Sequence, residues 1–199
     1  MASDTVDLRA VATLRSKVFE KEYDKVISMP EGAHKSRILA TVEWDRLERA
    51  TEEGGIVCIG AWLGDLERCD PKVLEAILAE TDRSTLRGAR HPIIGSLDVG
   101  FKRSMPADVL RLGEDLGIAS AAYVSNVGVL SSARCCGVAG ALLDHAEAEA
   151  AARGADYLFT HAHKSHDQNL LYFKHAFVVQ EEEEDEKKDT VLLGKPIDV

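Results

Sequence analysis

The sequence predicts a single α/β domain, and three observations carry that expectation. From residue 119 onward, β-like and helical runs alternate: a strand over 120–130, a helix over 136–152, a strand over 156–162, a helix over 166–175 and a terminal strand pair. Alternation of this kind builds a sheet covered by helices. Upstream, the uninterrupted apolar run at 56–63 reads as a strand buried on both faces. No internal repeat and no long linker interrupts the 199 residues, a length that one domain accommodates, so the chain is taken as one unit over 1–199.

The N-terminal elements follow from caps and breakers. Asp4 or Thr5 is placed to cap a first helix, whose Leu8, Val11, Leu14 and Val18 form an apolar stripe. Met29-Pro30-Glu31-Gly32 breaks the chain before a second helix over 34–51. A turn at Gly54-Gly55 leads into the 56–63 strand. Asp70-Pro71 then signals a helix start, with Pro at the first helical position. The segment 65–90 is too long for a simple hairpin connection and is expected as a surface insert. Residues 92–101 read as a strand weakened by Gly95 and Gly100, and 107–114 as a short helix.

From 119 to 180 the pattern is strongest. Arg153-Gly154 stops the helix over 136–152, with a basic residue in its last turn and Gly after it. Apolar runs at 177–179 and 191–193 flank the acidic stretch 181–189, which suggests a hairpin with a charged tip.

Composition narrows the function classes. A 45% hydrophobic and 29% charged content is that of an ordinary globular protein, and no apolar run approaches the roughly 20 residues needed to span a membrane. The formal net charge is −10, and half of that excess lies in 181–189, where seven acids face two lysines. An acidic chain without a basic stripe is a poor partner for nucleic acid. The four cysteines form no Cys-x-x-Cys pair, as expected of intracellular thiols.

The most informative segment joins the 120–130 strand to the helix that follows. Arg134-Cys135-Cys136-Gly137-Val138-Ala139 is a small-residue loop at a helix start. Unpaired backbone N–H groups and the positive end of the helix dipole make such a start an anion site. Gly137 and Ala139 let a phosphate approach the main chain, and Arg134 supplies a charge-assisted contact. A phosphorylated cofactor is therefore expected here. The spacing fits neither Gly-x-Gly-x-x-Gly nor a P-loop.

Arg-x-x-Gly-x-Ala after a strand resembles motif A of the GCN5-related N-acetyltransferases, the GNAT family. Leu171-Tyr172-Phe173-Lys174-His175-Ala176-Phe177 is similar to that family's Leu-Tyr-x-x-x-Gly-Phe, with Ala176 where Gly is usual. Residues 123–129 also resemble the corresponding segment of plant and algal plastid members. The resemblance implies a central mixed, mostly antiparallel sheet flanked by helices, with a V-shaped splay between two central strands. It implies acetyl-CoA as co-substrate, with no metal. The pyrophosphate would sit on Arg134, Cys135, Cys136, Gly137, Val138, Ala139 and Gly140. The pantetheine arm would pair with the backbone of Val127, Gly128 and Val129, and Asn169 stands near the place of the family's CoA-contacting Asn.

By the same resemblance Tyr172 protonates the departing CoA thiolate. For the base, His161 falls near the position of a family Glu, and an imidazole suits proton transfer near neutrality. A structural His or a water relay is the competing expectation there. His161, His163, His166 and Asp167 form a rival metal set, but no metal-binding spacing accompanies them. The expected activity is acetyl transfer to a primary amine, with a protein N-terminus or lysine favoured. Small arylalkylamines or polyamines are the alternative acceptors, and a non-catalytic acyl-CoA sensor is the alternative class. Either a monomer or a homodimer is expected, away from membranes, in the plastid stroma or the cytoplasm.

Overall fold

The computed structural model describes residues 7–26, 33–64, 69–81, 91–164, 169–181 and 189–197. Six strands form one sheet in the order β1-β2-β3-β4-β6-β5. They are β1 (Ile56–Trp62), β2 (Ile93–Gly100), β3 (Ala121–Val129), β4 (Tyr157–His163), β5 (Val178–Glu181) and β6 (Thr190–Pro196). Only β3 and β4 run parallel; every other neighbouring pair is antiparallel. The helix α6 (Val138–Ala152) is the crossover between those two strands, as parallel neighbours require.

Helices cover both faces. On one lie α1 (Leu8–Val18) and α3 (Ala33–Glu52), with α2 (Glu20–Val26) continuing the corner after α1. Val11 and Leu14 of α1 are buried, each contributing about 1.5–3 kcal/mol by area. The short α5 (Ala107–Asp115) packs Val109 onto Phe159 and Leu192 of the same face. On the other face α6 buries Leu142, Leu143, Ala146 and Ala150 against β1, β2 and β3. A Cβ on Gly95 would stand 2.9 Å from Val138 Cγ1 and 3.1 Å from Leu142 Cδ1. The glycine that weakens β2 as a sequence is what lets the start of α6 close on the sheet.

Several boundaries differ from expectation. Asp7 caps α1, its carboxylate accepting from the N–H groups of Arg9 and Ala10, while Asp4 and Thr5 lie outside the described residues. After α1 the chain turns at Phe19 and forms α2, which no cap or breaker announced. Asp70 caps α4 (Pro71–Glu80) as expected, but α4 is more than surface, since Ile77 is 1% exposed in the main core. The last helix is α7 (Asn169–Lys174), and residues 166–168 of the expected helix lie outside the described residues. Most of the acidic run lies outside the described residues. No described helix is long and apolar enough to cross a membrane.

Candidate active site

Beyond Val124 and Thr160 the ladder between β3 and β4 ends. The register with β2 also shifts between Ser96 and Asp98, which leaves Asn126 and Val127 bulged, with Asn126 at φ 53°. Bulges bend a strand and increase its twist, so β3 turns away from β4 over its last residues. The result is a cleft of about 950 Å³ between the two strands, open to both faces of the sheet. Val127, Gly128 and Val129 line it from one side, and His161, Ala162 and His163 from the other.

One end of the cleft meets the start of α6. Gly137 caps that helix at φ 80°, in the left-handed region where L side chains are strained, and open space surrounds the site of its missing Cβ. The first bond of the cap region runs from the Ala141 N–H to the Gly137 carbonyl. The N–H groups of Val138, Ala139 and Gly140 therefore precede any intrahelical partner and face outward at the positive end of the dipole. Arg134, Cys135, Gly137, Val138, Ala139 and Gly140 all line the cleft, and Arg134 Nε donates to the Val129 carbonyl at 3.4 Å. Cys136 is exposed but is not among the lining residues. These groups fit a pyrophosphate: a basic side chain, a cradle without a Cβ and open backbone donors.

Tyr172 reaches the cleft from the α6 face. Tyr172 is 8% exposed, and its ring stands edge-on to Phe177 at 5.6 Å. Burial pushes its phenol above the ordinary value, while the Thr160 hydroxyl acts in the opposite sense. Such a phenol stays protonated near neutrality and holds a proton ready for a leaving group. Asn169 is the first residue of α7; its side chain lies outside the described residues, as do Ser165, His166 and Asp167.

On the opposite face three polar groups form a chain. His161 Nδ1 lies 2.9 Å from the Tyr123 hydroxyl, and His161 Nε2 lies 3.1 Å from Asp108 Oδ2 in the first turn of α5. A carboxylate only accepts, so Nε2 carries the proton toward Asp108, and Nδ1 accepts from Tyr123. Burial pushes the Tyr123 phenol up to about 12; Asp108 and Tyr172 add to the rise, and His161 opposes it. His163 lies apart from this chain, 3.8 Å from Asp189. Among the described residues no group of three or more His, Cys, Asp or Glu is arranged to hold a metal.

The wall beside β3 comes from the α1–α2 corner. Val18 and Phe19 press on Gly128, where a Cβ would stand 3.1 Å from either, and Glu22 and Tyr23 continue the lining. Beneath them lies a buried ionic network. Arg15, 0% exposed, donates to both Asp98 oxygens at 2.8 Å and to Glu43 Oε1 at 3.1 Å. Arg46 bridges Glu43 and Asp98. The network reaches the cleft twice, through Tyr23 on Glu43 and through Asn126, whose amide donates to Asp98 at 2.8 Å.

The structure thus brings Tyr172, His161, the 134–140 loop and the end of β3 to one cleft. Sequence reasoning missed Tyr123, Asp108 and the network around Asp98. Tyr123 and His161 meet because Tyr123 pairs with Phe159 in the parallel register, which puts His161 two residues on and on the same face. That register is not written in either strand alone.

The acetyltransferase (GNAT) family model matches residues 79–177, about half of the chain. Solved structures of the same fold include ribosomal-protein-alanine N-acetyltransferase from Brucella melitensis, at 15% identity over 96% of this chain and 94% of that one, with a TM-score of 0.57. PaiA N-acetyltransferase from Thermoplasma acidophilum, in complex with coenzyme A, matches at 12% identity over 96% and 92%, with a TM-score of 0.53. Arabidopsis thaliana NAA60 in complex with acetyl-CoA matches at 16% over 92% and 93%, with a TM-score of 0.51. A search of curated proteins finds no match. The plant enzyme is no nearer than the bacterial one, so the resemblance to plastid members gains no support. With the family model matched over residues 79–177 and the six-stranded sheet shared with solved acetyltransferase structures, the chain belongs to the GNAT family of acetyl-CoA-dependent N-acetyltransferases.

Proposed function

We propose that the chain acetylates a primary amine carried by a protein, at an N-terminal α-amine or a lysine, by direct attack within a ternary complex. The observation that carries this reading is the opposition of two proton-handling groups across one gap. Tyr172 stands on the α6 face, and Tyr123 with His161 and Asp108 on the other. In this reading the open N–H groups of residues 138–140, with Arg134, hold the pyrophosphate of acetyl-CoA. The backbone of residues 127–129 holds the pantetheine arm and polarises the thioester carbonyl.

The amine comes from the Tyr123 face. Its proton passes to the Tyr123 oxygen as the Tyr123 proton moves to His161 Nδ1, and Asp108 stabilises the imidazolium. The amine nitrogen bonds to the acetyl carbon, the carbon–sulfur bond breaks, and Tyr172 protonates the departing thiolate, taking back the second proton that the nitrogen sheds as the amide forms. No covalent enzyme intermediate is needed. At the mouth, exposed Glu22 beside Phe19 and Tyr23 suits an ammonium next to an apolar group. The same wall attracts small arylalkylamines and polyamines, which are the second reading of the acceptor.

Acetyl-CoA turnover by the wild type and by Tyr172→Phe, across peptides and small amines, tests the proposal. Turnover with peptides is expected, with kcat falling about 10²-fold in the variant and the KM for acetyl-CoA little changed. Coenzyme A binding without turnover of any amine would make the chain an acyl-CoA sensor and sink the enzyme reading. The cofactor site has its own check. Asn and Asp both tolerate the left-handed conformation of Gly137 and differ chiefly in charge. By calorimetry, Gly137→Asp is expected to weaken coenzyme A binding at least tenfold more than Gly137→Asn. Equal affinities would remove the pyrophosphate from this loop.

A further inference from the structure

The insert helix α4 ends on a contact that acetyl transfer as described above does not use. Glu80, its last residue, accepts four hydrogen bonds from the turn that begins the cofactor loop. Oε1 takes the Ser131 N–H at 2.9 Å and the Ser131 hydroxyl at 3.0 Å. Oε2 takes the Ser132 N–H at 2.9 Å and the Ser132 hydroxyl at 2.6 Å. The Glu80 backbone carbonyl accepts from Lys17 Nζ at 2.9 Å, which ties the end of α4 to α1.

Two oxygens meeting two successive residues, each with a backbone and a side-chain donor, fix the orientation of that turn and not only its distance. Burial pushes the Glu80 carboxyl up, but the donors of Ser132 and Ser131 outweigh it and hold it below its ordinary value. The turn continues through Ala133, whose N–H meets the Leu130 carbonyl, and Arg134, whose N–H meets the Ser131 carbonyl. Cys135 then takes φ 62° and Gly137 φ 80° before α6 starts. The loop is thus anchored at its far end by the buried face of α6 and at its near end by Glu80. Of the residues between those anchors, Ala133, Arg134, Cys135 and Gly137 line the cleft.

We propose that Glu80 is a positioning residue for the cofactor, acting through the Ser131–Ser132 turn to set the loop that receives the pyrophosphate. This rests on the assignment of that loop to the pyrophosphate. Glu80 touches no substrate. Its loss lets Arg134 and the open N–H groups move relative to the end of β3, and displacement of about 1 Å in a positioning element is enough to cost 10²-fold.

The test compares Glu80→Ala and Glu80→Gln with the wild type. Gln keeps the shape but turns one acceptor into a donor facing donors. Expected are a roughly tenfold weaker coenzyme A affinity by calorimetry and a matching rise in the KM for acetyl-CoA. The kcat at saturation should stay within about twofold. Acetyl-pantetheine lacks the pyrophosphate, so its kcat/KM should not change. Ser131→Ala/Ser132→Ala removes two of the four donors and should give a smaller defect of the same kind, and adding it to Glu80→Ala should cost little more, because the carboxylate it would weaken is already gone. A lowered melting temperature with unchanged coenzyme A affinity would make Glu80 merely structural and overturn the proposal. An equal loss for acetyl-CoA and acetyl-pantetheine would overturn it too. If Gly137→Asp and Gly137→Asn bind coenzyme A equally, the loop assignment itself fails. If they differ while Glu80→Ala binds as the wild type does, only the role of Glu80 fails.

Discussion

Replacing Asp98 by Ala is expected to destabilise the fold by about 3–5 kcal/mol, the usual cost of breaking a buried ion pair on one side. Asp98 is 1% exposed and balances Arg15, which has no exposure at all. Without the carboxylate, the guanidinium keeps Glu43 at 3.1 Å and the Ser96 hydroxyl at 3.0 Å. Its other donors have nothing equivalent to meet. For a domain of this size that loss lowers the melting temperature by on the order of 10 °C, measurable by calorimetry or circular dichroism. A loss below about 1 kcal/mol would mean that the network is wetter or looser than its geometry.

The network also gives stability a pH dependence. Burial pushes the Asp98 and Glu43 carboxyls up, but Arg15 and Asn126 on Asp98, and Arg46 and Arg15 on Glu43, hold both below their ordinary values. A carboxyl with a folded pKa below its unfolded one adds stability that is fully present above the unfolded value, about 4. That stability is lost as the pH falls through the folded value. Wild-type melting temperature should therefore drop below about pH 4, and Asp98→Asn should drop less steeply over the same range. The same variant weakens the hold on Asn126, whose left-handed backbone carries the bulge in β3. Stability and the bulge beside the cleft share one carboxylate.

How far the sequence reached depends on what each feature needs. The helix α4 was legible because Asp70-Pro71 is a local signal, and α6 because its apolar face repeats every turn. The helix start at residues 134–140 was legible for the same reason: a strand, small residues and a helix are all local. Gly95 weakened the strand signal of β2 without breaking it, and its small size serves packing against Val138 and Leu142. The seven-residue α2 went unseen, with no breaker between it and α1. Arg15 sits in an α1 whose stripe reads as ordinary, and its partners lie 28 and 83 residues away. Long-range pairings of charge, like strand register, exist only once the sheet is assembled.

Removing the Tyr123 hydroxyl should cost about 10²-fold in kcat near neutrality if Tyr123 is where the amine's proton enters the protein. Phe at that position keeps the ring that packs near Val109 and Phe159, so the fold should hold. His161→Ala should cost as much or more, because it empties both the 2.9 Å contact to Tyr123 and the 3.1 Å contact to Asp108. The informative measurement is kcat against pH with the fastest acceptor. An amine that is already neutral needs no relay, so the defect of Tyr123→Phe should shrink as the pH approaches the amine's own pKa, about 8 for an α-amine and about 10 for a lysine. The KM for acetyl-CoA should stay unchanged, since the loop and the phenol proposed to meet the pyrophosphate and the thiolate lie on the other face of the sheet. Tyr172→Phe should behave differently: its defect lies in releasing the thiolate, and raising the pH does not restore it. A Tyr123→Phe defect that is constant from pH 7 to 10 would remove Tyr123 from the proton's route and leave His161 with Asp108 as a structural pair. Two phenols, one on each face of the same gap, thus have opposite signatures. Burial keeps both protonated; in the proposed mechanism Tyr172 gives its proton to sulfur, and Tyr123 gives its proton to His161 as it takes another from nitrogen.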